Sequence, residues 1–127
     1  MSCAQMSINR ITPQLRTTDL DASIRFYVDT LGMTLAFRFQ DFYAGIDADG
    51  QVFHLKQVDA IDPSIADVRA GGHFHIYFET DDVSTLAARF ARCGVRFTAG
   101  PHETAWQTRE FAIEDDQGHV LYFGQPL

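Results

Sequence analysis

Five histidines, two cysteines and 17 acidic side chains hold the chemical potential of this 127-residue chain. His54 and His75 stand in β-prone runs. His73, two positions before His75, shares its face, because side chains alternate across a strand with period two. Gln14 shares the face of Thr12 for the same reason. Imidazoles in such places offer nitrogen lone pairs to a divalent cation, or hydrogen bonds to an organic ligand. A cation used as a Lewis acid wants three or four donors drawn from His, Glu, Asp or Gln. His102 and His119 adjoin turns and are expected at the surface. Arg109 and Glu110 are strand neighbours that point to opposite faces. Arg109 is therefore expected to hold a ligand carboxylate or to tie down another acidic residue. Asp115 and Asp116 fall in a turn and are expected to be solvated. There is no GxSxG, no P-loop and no GxGxxG, so serine hydrolysis and nucleotide binding have no motif behind them.

Phe37, Phe39, Phe42, Tyr43, Trp106, Phe111 and Tyr122 fall in predicted strands or their connections. Aromatic walls with a few polar groups suit a pocket for a flat or cationic organic molecule. The formal charge of −7 and the single lysine, Lys56, argue against a nucleic-acid partner and favour a cationic ligand by long-range attraction. No apolar run reaches the roughly 20 residues that cross a bilayer. The first ten residues have no secretory h-region, so a membrane is not expected as a partner. Cys3 and Cys93 form no CxxC, which makes a reducing, cytoplasmic setting the expectation. Cys93 falls on a predicted helical stripe and is expected to be a small core residue.

The elements that must position these residues read as a repeat. Ile11 to Thr17 is strand-like. Asp19 caps a helix with Leu20, Ile24, Tyr27 and Leu31 on one stripe, and Gly32 stops it. Strands are predicted at Met33 to Gln40, Phe42 to Ile46 and Gln51 to Gln57, with Asp49-Gly50 as the last turn. The order then recurs. His73 to Glu79 is a strand. Asp81 or Asp82 caps a helix with Val83, Leu86, Phe90 and Cys93 on its stripe, and Gly94 ends it. Val95 to Thr98, Trp106 to Ile113 and His119 to Gly124 are strands. Val58 to Gly72, with Pro63 and two adjacent glycines, reads as a linker. The fold class is α+β: two tandem βαβββ modules, about 11–57 and 73–124, within one domain spanning 1–127. Each unit alone has too little core, so two must close on each other, within the chain or across a dimer.

A tandem βαβββ pair of this length resembles the vicinal oxygen chelate superfamily, which includes glyoxalase I, extradiol dioxygenases and the fosfomycin and bleomycin resistance proteins. The likeness runs from about Ile11 to Phe123. It is carried by Asp19-Leu20-Asp21-Ala22-Ser23-Ile24-Arg25-Phe26-Tyr27 with Leu31-Gly32-Met33, and by His75-Ile76-Tyr77-Phe78-Glu79-Thr80-Asp81-Asp82-Val83. The stretch Trp106 to Ala112 with Asp115-x-x-Gly118 is similar to the bleomycin-resistance branch, although Gln107 and Asp116 replace the usual glycine and proline.

The resemblance implies curved mixed sheets, with helices on their outer face and a site on the inner one. It also implies homodimeric pairing of modules into two equivalent clefts. Metal-using members take ligands from the first and last strand of each module. Alignment on the capping aspartates and turn glycines puts Thr12, His54, His75 and Tyr122 at those positions. Two imidazoles remain in that set, no carboxylate is left and the other two positions are neutral hydroxyls, so no metal cofactor is expected; if a divalent ion is bound, His54 and His75 are its ligands. A tyrosinate ligand would need strong metal assistance against a free pKa near 10. The expected function is that of a metal-free dimer that sequesters a small aromatic or cationic molecule, as drug-binding members confer resistance without turnover. Its ligand would be lined by Thr12, Phe39, His54, His75, Trp106, Arg109 and Tyr122. The alternative is a metal-dependent lyase, isomerase or dioxygenase, in which the ion polarises a carbonyl or holds vicinal oxygens.

Overall fold

The computed structural model describes residues 6–127, so Cys3 lies outside the described residues. Module one comprises β1 (Gln14–Thr17), α1 (Leu20–Arg25) prolonged by a π-helical turn (Phe26–Thr30), β2 (Thr34–Phe39), β3 (Tyr43–Ala48) and β4 (Gln51–Gln57). Helix α2 (Ser64–Gly71) joins it to module two: β5 (Ile76–Glu79), α3 (Val83–Arg92), β6 (Phe97–Glu103), β7 (Thr108–Glu114) and β8 (Val120–Pro126). The two four-stranded sheets share one order, β1-β4-β3-β2 and β5-β8-β7-β6. In both, the first strand runs parallel to the last and the other pairings are antiparallel. No helix among the described residues is long and apolar enough to cross a membrane.

The repeat extends to the atoms that start each element. Asp19 Oδ1 accepts the Ala22 N–H at 3.0 Å and Asp82 Oδ1 accepts the Thr85 N–H at 3.1 Å, so each helix opens on its own capping carboxylate. Asp47 Oδ1 accepts the Gly50 N–H at 2.6 Å, and Asp115 Oδ1 accepts the Gly118 N–H at 3.0 Å, closing the last hairpin of each module. Gly50 and Gly118 have φ of 92° and 101°, a region costly for any residue with a Cβ.

Strand alternation sends Leu15, Ile46, Phe53 and Leu55 of the first sheet to its helix side. It does the same for Phe111, Ile113, Leu121 and Phe123 of the second. These side chains form one core with Leu20, Tyr27, Leu31, Val83, Ala87 and Phe90 from the helices. The helix-bearing sides of the sheets meet: Phe53 lies edge-on to Phe78 at 6.0 Å, and Tyr27 Oη donates to Asp115 Oδ2 at 2.6 Å. The other face of each sheet is its open face; on the second sheet, α2 and its cap cover part of it through Ser64, Arg69 and Gly72.

Three expectations need correction here. The linker holds helix α2. One buried apolar residue, Ile65, anchors it, so no hydrophobic period betrays it. Asp62 Oδ1 accepts the Ser64 N–H at 2.9 Å and Gly72 ends it in the left-handed region at φ 68°. Cys93 is exposed, because the chain leaves helical geometry at that residue and the buried stripe is Val83, Ala87 and Phe90. His119 and Asp115, expected near solvent, are 1% and 8% exposed. The hairpin that carries them is pressed against module one: Ser23 Oγ donates to Asp116 Oδ2 at 2.7 Å, and Thr18 donates to Gln117 Oε1. Asp116 itself stays exposed, as expected of a turn residue.

Candidate functional site

The open face of the first sheet is built around His54. Its register partner on β3 is Gly45 and on β1 is Gln14. A Cβ on Gly45 would lie 2.6 Å from Phe37 Cδ1, so the bare backbone there is what lets the Phe37 ring lie across the sheet. Phe37 meets the His54 ring edge-on at 5.3 Å and stacks with Tyr43 at 6.4 Å. Tyr43 Oη is 2.9 Å from His54 Nδ1 and accepts from Gln14 Nε2 at 3.0 Å. Among the described residues, these bonds leave Nε2 as the unengaged nitrogen of the His54 ring. Phe39 packs edge-on to Phe42 at 5.4 Å and both are exposed. Thr12 is exposed, two residues ahead of β1, and makes no side-chain hydrogen bond to His54 among the described residues.

The open face of the second sheet centres on Glu110, a residue the sequence reading set aside. Glu110 is 4% exposed. Its Oε2 accepts from Tyr77 Oη at 2.9 Å, Thr108 Oγ1 at 3.1 Å and Trp106 Nε1 at 3.4 Å. Gly124, opposite Glu110 on β8, makes the approach of Tyr77 feasible: a Cβ there would sit 2.7 Å from Tyr77 Cζ. Burial, and then the bond to Glu110, push the Tyr77 pKa up to about 12, so the phenol is a donor throughout the neutral range. Phe74 and Trp106 are exposed on this face. Phe74 leans on Tyr77 at 5.6 Å and on Tyr122 at 5.1 Å. Strand alternation is the signal that could have found Glu110: with Phe111 on the helix side, its neighbour must be on the open side.

His75 precedes β5 by one residue, and both of its ring nitrogens are engaged. Nδ1 accepts the Val120 N–H at 3.0 Å, so Nδ1 carries no proton. In the neutral ring Nε2 must then carry it and donate to Ser64 Oγ at 3.2 Å. Burial, with His119 stacked edge-on at 4.9 Å, lowers the His75 pKa and favours this neutral form. The Tyr122 hydroxyl donates to the Gly72 carbonyl at 3.3 Å. Arg109 points to the helix side, where it binds Glu103 at 3.0 Å and reaches Ser84 Oγ at 3.4 Å.

The structure thus brings Thr12, Phe39 and His54 to one sheet and His75, Trp106 and Tyr122 to the other. No hydrogen bond or ring contact links the two open faces among the described residues. Tyr77 and Glu110 were missed. No group of three or more His, Cys, Asp or Glu among the described residues is arranged to hold a metal ion. Beyond that grouping, the His75 ring has no lone pair free, so His75 as placed does not fit a divalent ion.

The family model described as the Glyoxalase/Bleomycin resistance protein/Dioxygenase superfamily matches residues 7–123, and the chain belongs to that superfamily. Among solved structures it is similar to the bleomycin-binding protein of bleomycin-producing Streptomyces verticillus, complexed with copper(II)-bleomycin. That likeness has 23% identity and a TM-score of 0.72, and covers 94% of this chain and 97% of the other. A glyoxalase/bleomycin resistance protein/dioxygenase from Alicyclobacillus acidocaldarius has 19% identity and a TM-score of 0.78, over 94% and 92% of the two chains. Lactoylglutathione lyase from Agrobacterium tumefaciens has 21% identity and a TM-score of 0.71, over 94% and 95%. At these identities the likeness establishes the fold, which hosts different chemistries. No curated protein sequence matches the chain.

Proposed function

We propose that this chain is a non-catalytic, metal-free binding protein that holds a small aromatic or cationic organic molecule as a homodimer. One observation carries the reading: each sheet leaves open a face of aromatic side chains with polar groups at its centre, His54 on one and Glu110 on the other. Exposed rings gathered this way are unusual on a soluble monomer and mark a binding surface. The faces sit on different sheets, so a ligand that touches both needs the first sheet of one subunit against the second sheet of its partner. The outer edges of β1 and β5, which have no strand beyond them among the described residues, offer backbone groups for such pairing. The engaged nitrogens of His75 support binding without a metal. The solved complex with copper(II)-bleomycin is a precedent on this fold for retaining an organic ligand.

The test is made on untagged protein. Sedimentation at micromolar concentration is expected to give a dimer, and elemental analysis less than stoichiometric Zn, Ni, Mn and Fe. Aromatic cations are expected to raise the melting temperature, because a ligand of the native state alone stabilises it. A monomer would refute the shared cleft. Stoichiometric metal that disappears in a His54→Ala, His75→Ala double variant would establish the metal-dependent enzyme instead.

A further inference from the structure

Two glutamates on β7 project to the open face of the second sheet and are equally buried, Glu110 and Glu114, each 4% exposed. Glu114 is neutralised: Arg69 lies 2.9 Å from Oε1 and Arg96 3.6 Å from Oε2. Glu110 has no such partner. Among the described residues no Lys, Arg or His lies within ion-pair distance of it. Its three donors are neutral and all fall on Oε2, so Oε1 has no hydrogen bond from the protein among the described residues. A carboxylate withdrawn from water without a counter-charge is costly, and the cost is relieved when a cation arrives. The groups beside it suit an organic cation. Trp106, 68% exposed, offers an indole to a cationic group, and Phe74 and Tyr122 offer apolar surface to the body of the molecule.

We propose that Glu110 is the specificity residue of the site, and that it selects organic cations bearing at least one N–H, such as amines, amidines or guanidines with an aromatic body. The N–H bonds Oε1 and the charge pairs with the carboxylate, while Trp106 covers the cation. Tyr77, Thr108 and Gly124 are positioning residues that fix the carboxylate from the other side. This rests on the binding reading above and adds the chemical class of the ligand.

Trp106 is the single tryptophan of the chain, so its fluorescence reports on this site directly. Benzamidine and 2-phenylethylamine are titrated in parallel with their neutral counterparts, benzamide and 2-phenylethanol, against the wild-type protein and Glu110→Gln. The amide keeps a carbonyl oxygen for the three donors and removes the charge. Saturable quenching by the cations is expected, weaker by about tenfold or more for the neutral compounds and for the variant. A neutral compound that binds the wild type as tightly as its cationic counterpart overturns the proposal without any variant. Cation binding unchanged in Glu110→Gln overturns it as well. In both cases saturable binding leaves the general binding reading intact, whereas no saturable response to any of the four compounds overturns both.

Discussion

Replacing Tyr27 by Phe tests whether one buried hydrogen bond joins the modules. Tyr27 lies in the π-turn of module one with no exposed surface, and its hydroxyl donates to Asp115 Oδ2 at 2.6 Å in the last hairpin of module two. Burial, then the nearby Asp115 charge, push its pKa well above the ordinary tyrosine value, so it remains a donor. The Phe ring keeps the edge contacts to Phe26 at 5.3 Å and Phe53 at 5.1 Å, so the substitution isolates the hydroxyl. A bond to a charged acceptor contributes roughly 1.5–3 kcal/mol. Asp115 is not stranded by the change. Oδ1 still accepts the N–H groups of Gln117, Gly118 and His119, and Oδ2 still accepts His119 Nδ1–H at 2.8 Å. The expected loss is therefore in the lower half of the range, about 2 kcal/mol. With an unfolding entropy of about 2.1 cal/mol/K per residue, that lowers the melting temperature of this chain by about 7 °C. Urea unfolding followed by far-ultraviolet circular dichroism is expected to show a lower midpoint at an unchanged m-value. A loss below about 0.5 kcal/mol would refute the reasoning, since that is the usual effect of a surface change.

Two further perturbations reach the open faces. The folded pKa of His75 lies below its usual 6.5, so under mildly acidic conditions the unfolded chain takes up a proton that the folded chain refuses. Stability is expected to fall as pH drops through 6.5 until the folded ring also titrates. His75→Asn, whose amide oxygen can accept the Val120 N–H, should lose that part of the acid slope in urea midpoints measured across the window; an undiminished slope would refute the assignment. Gly45→Ala places a methyl against the Phe37 ring, which is 41% exposed and so can swing into solvent. The cost is expected near the low end of overpacking, about 1 kcal/mol in thermal unfolding, with a shift of the His54 ring-proton resonances as Phe37 leaves. Unmoved resonances would contradict the contact.

Local chemistry made much of the fold legible. Asp19 and Asp82 cap helices because a carboxylate before an apolar stripe has free N–H groups to accept, and Gln51 to Gln57 alternates as a half-buried strand must. Where a residue's role depends on what another part of the chain presses against it, such reading ran short. His119 and Asp115 look like turn residues until module one covers them. Helix α2 has one buried anchor and no period.

The candidate site divides along the same line. The aromatic character of the strands and the duplicated order of elements follow from residue types and spacing, which short-range sterics and strand alternation convert into faces; that Thr12, His54, His75 and Tyr122 stand at ligand positions with no carboxylate among them is what the family resemblance implies. Tertiary structure alone decided that His54 and His75 stand on different sheets, that both His75 nitrogens are taken, and that Glu110 is buried without a counter-charge among the described residues while Glu114 has two. Pairings of that kind join residues far apart in sequence, and burial depends on which surfaces the folded chain brings together.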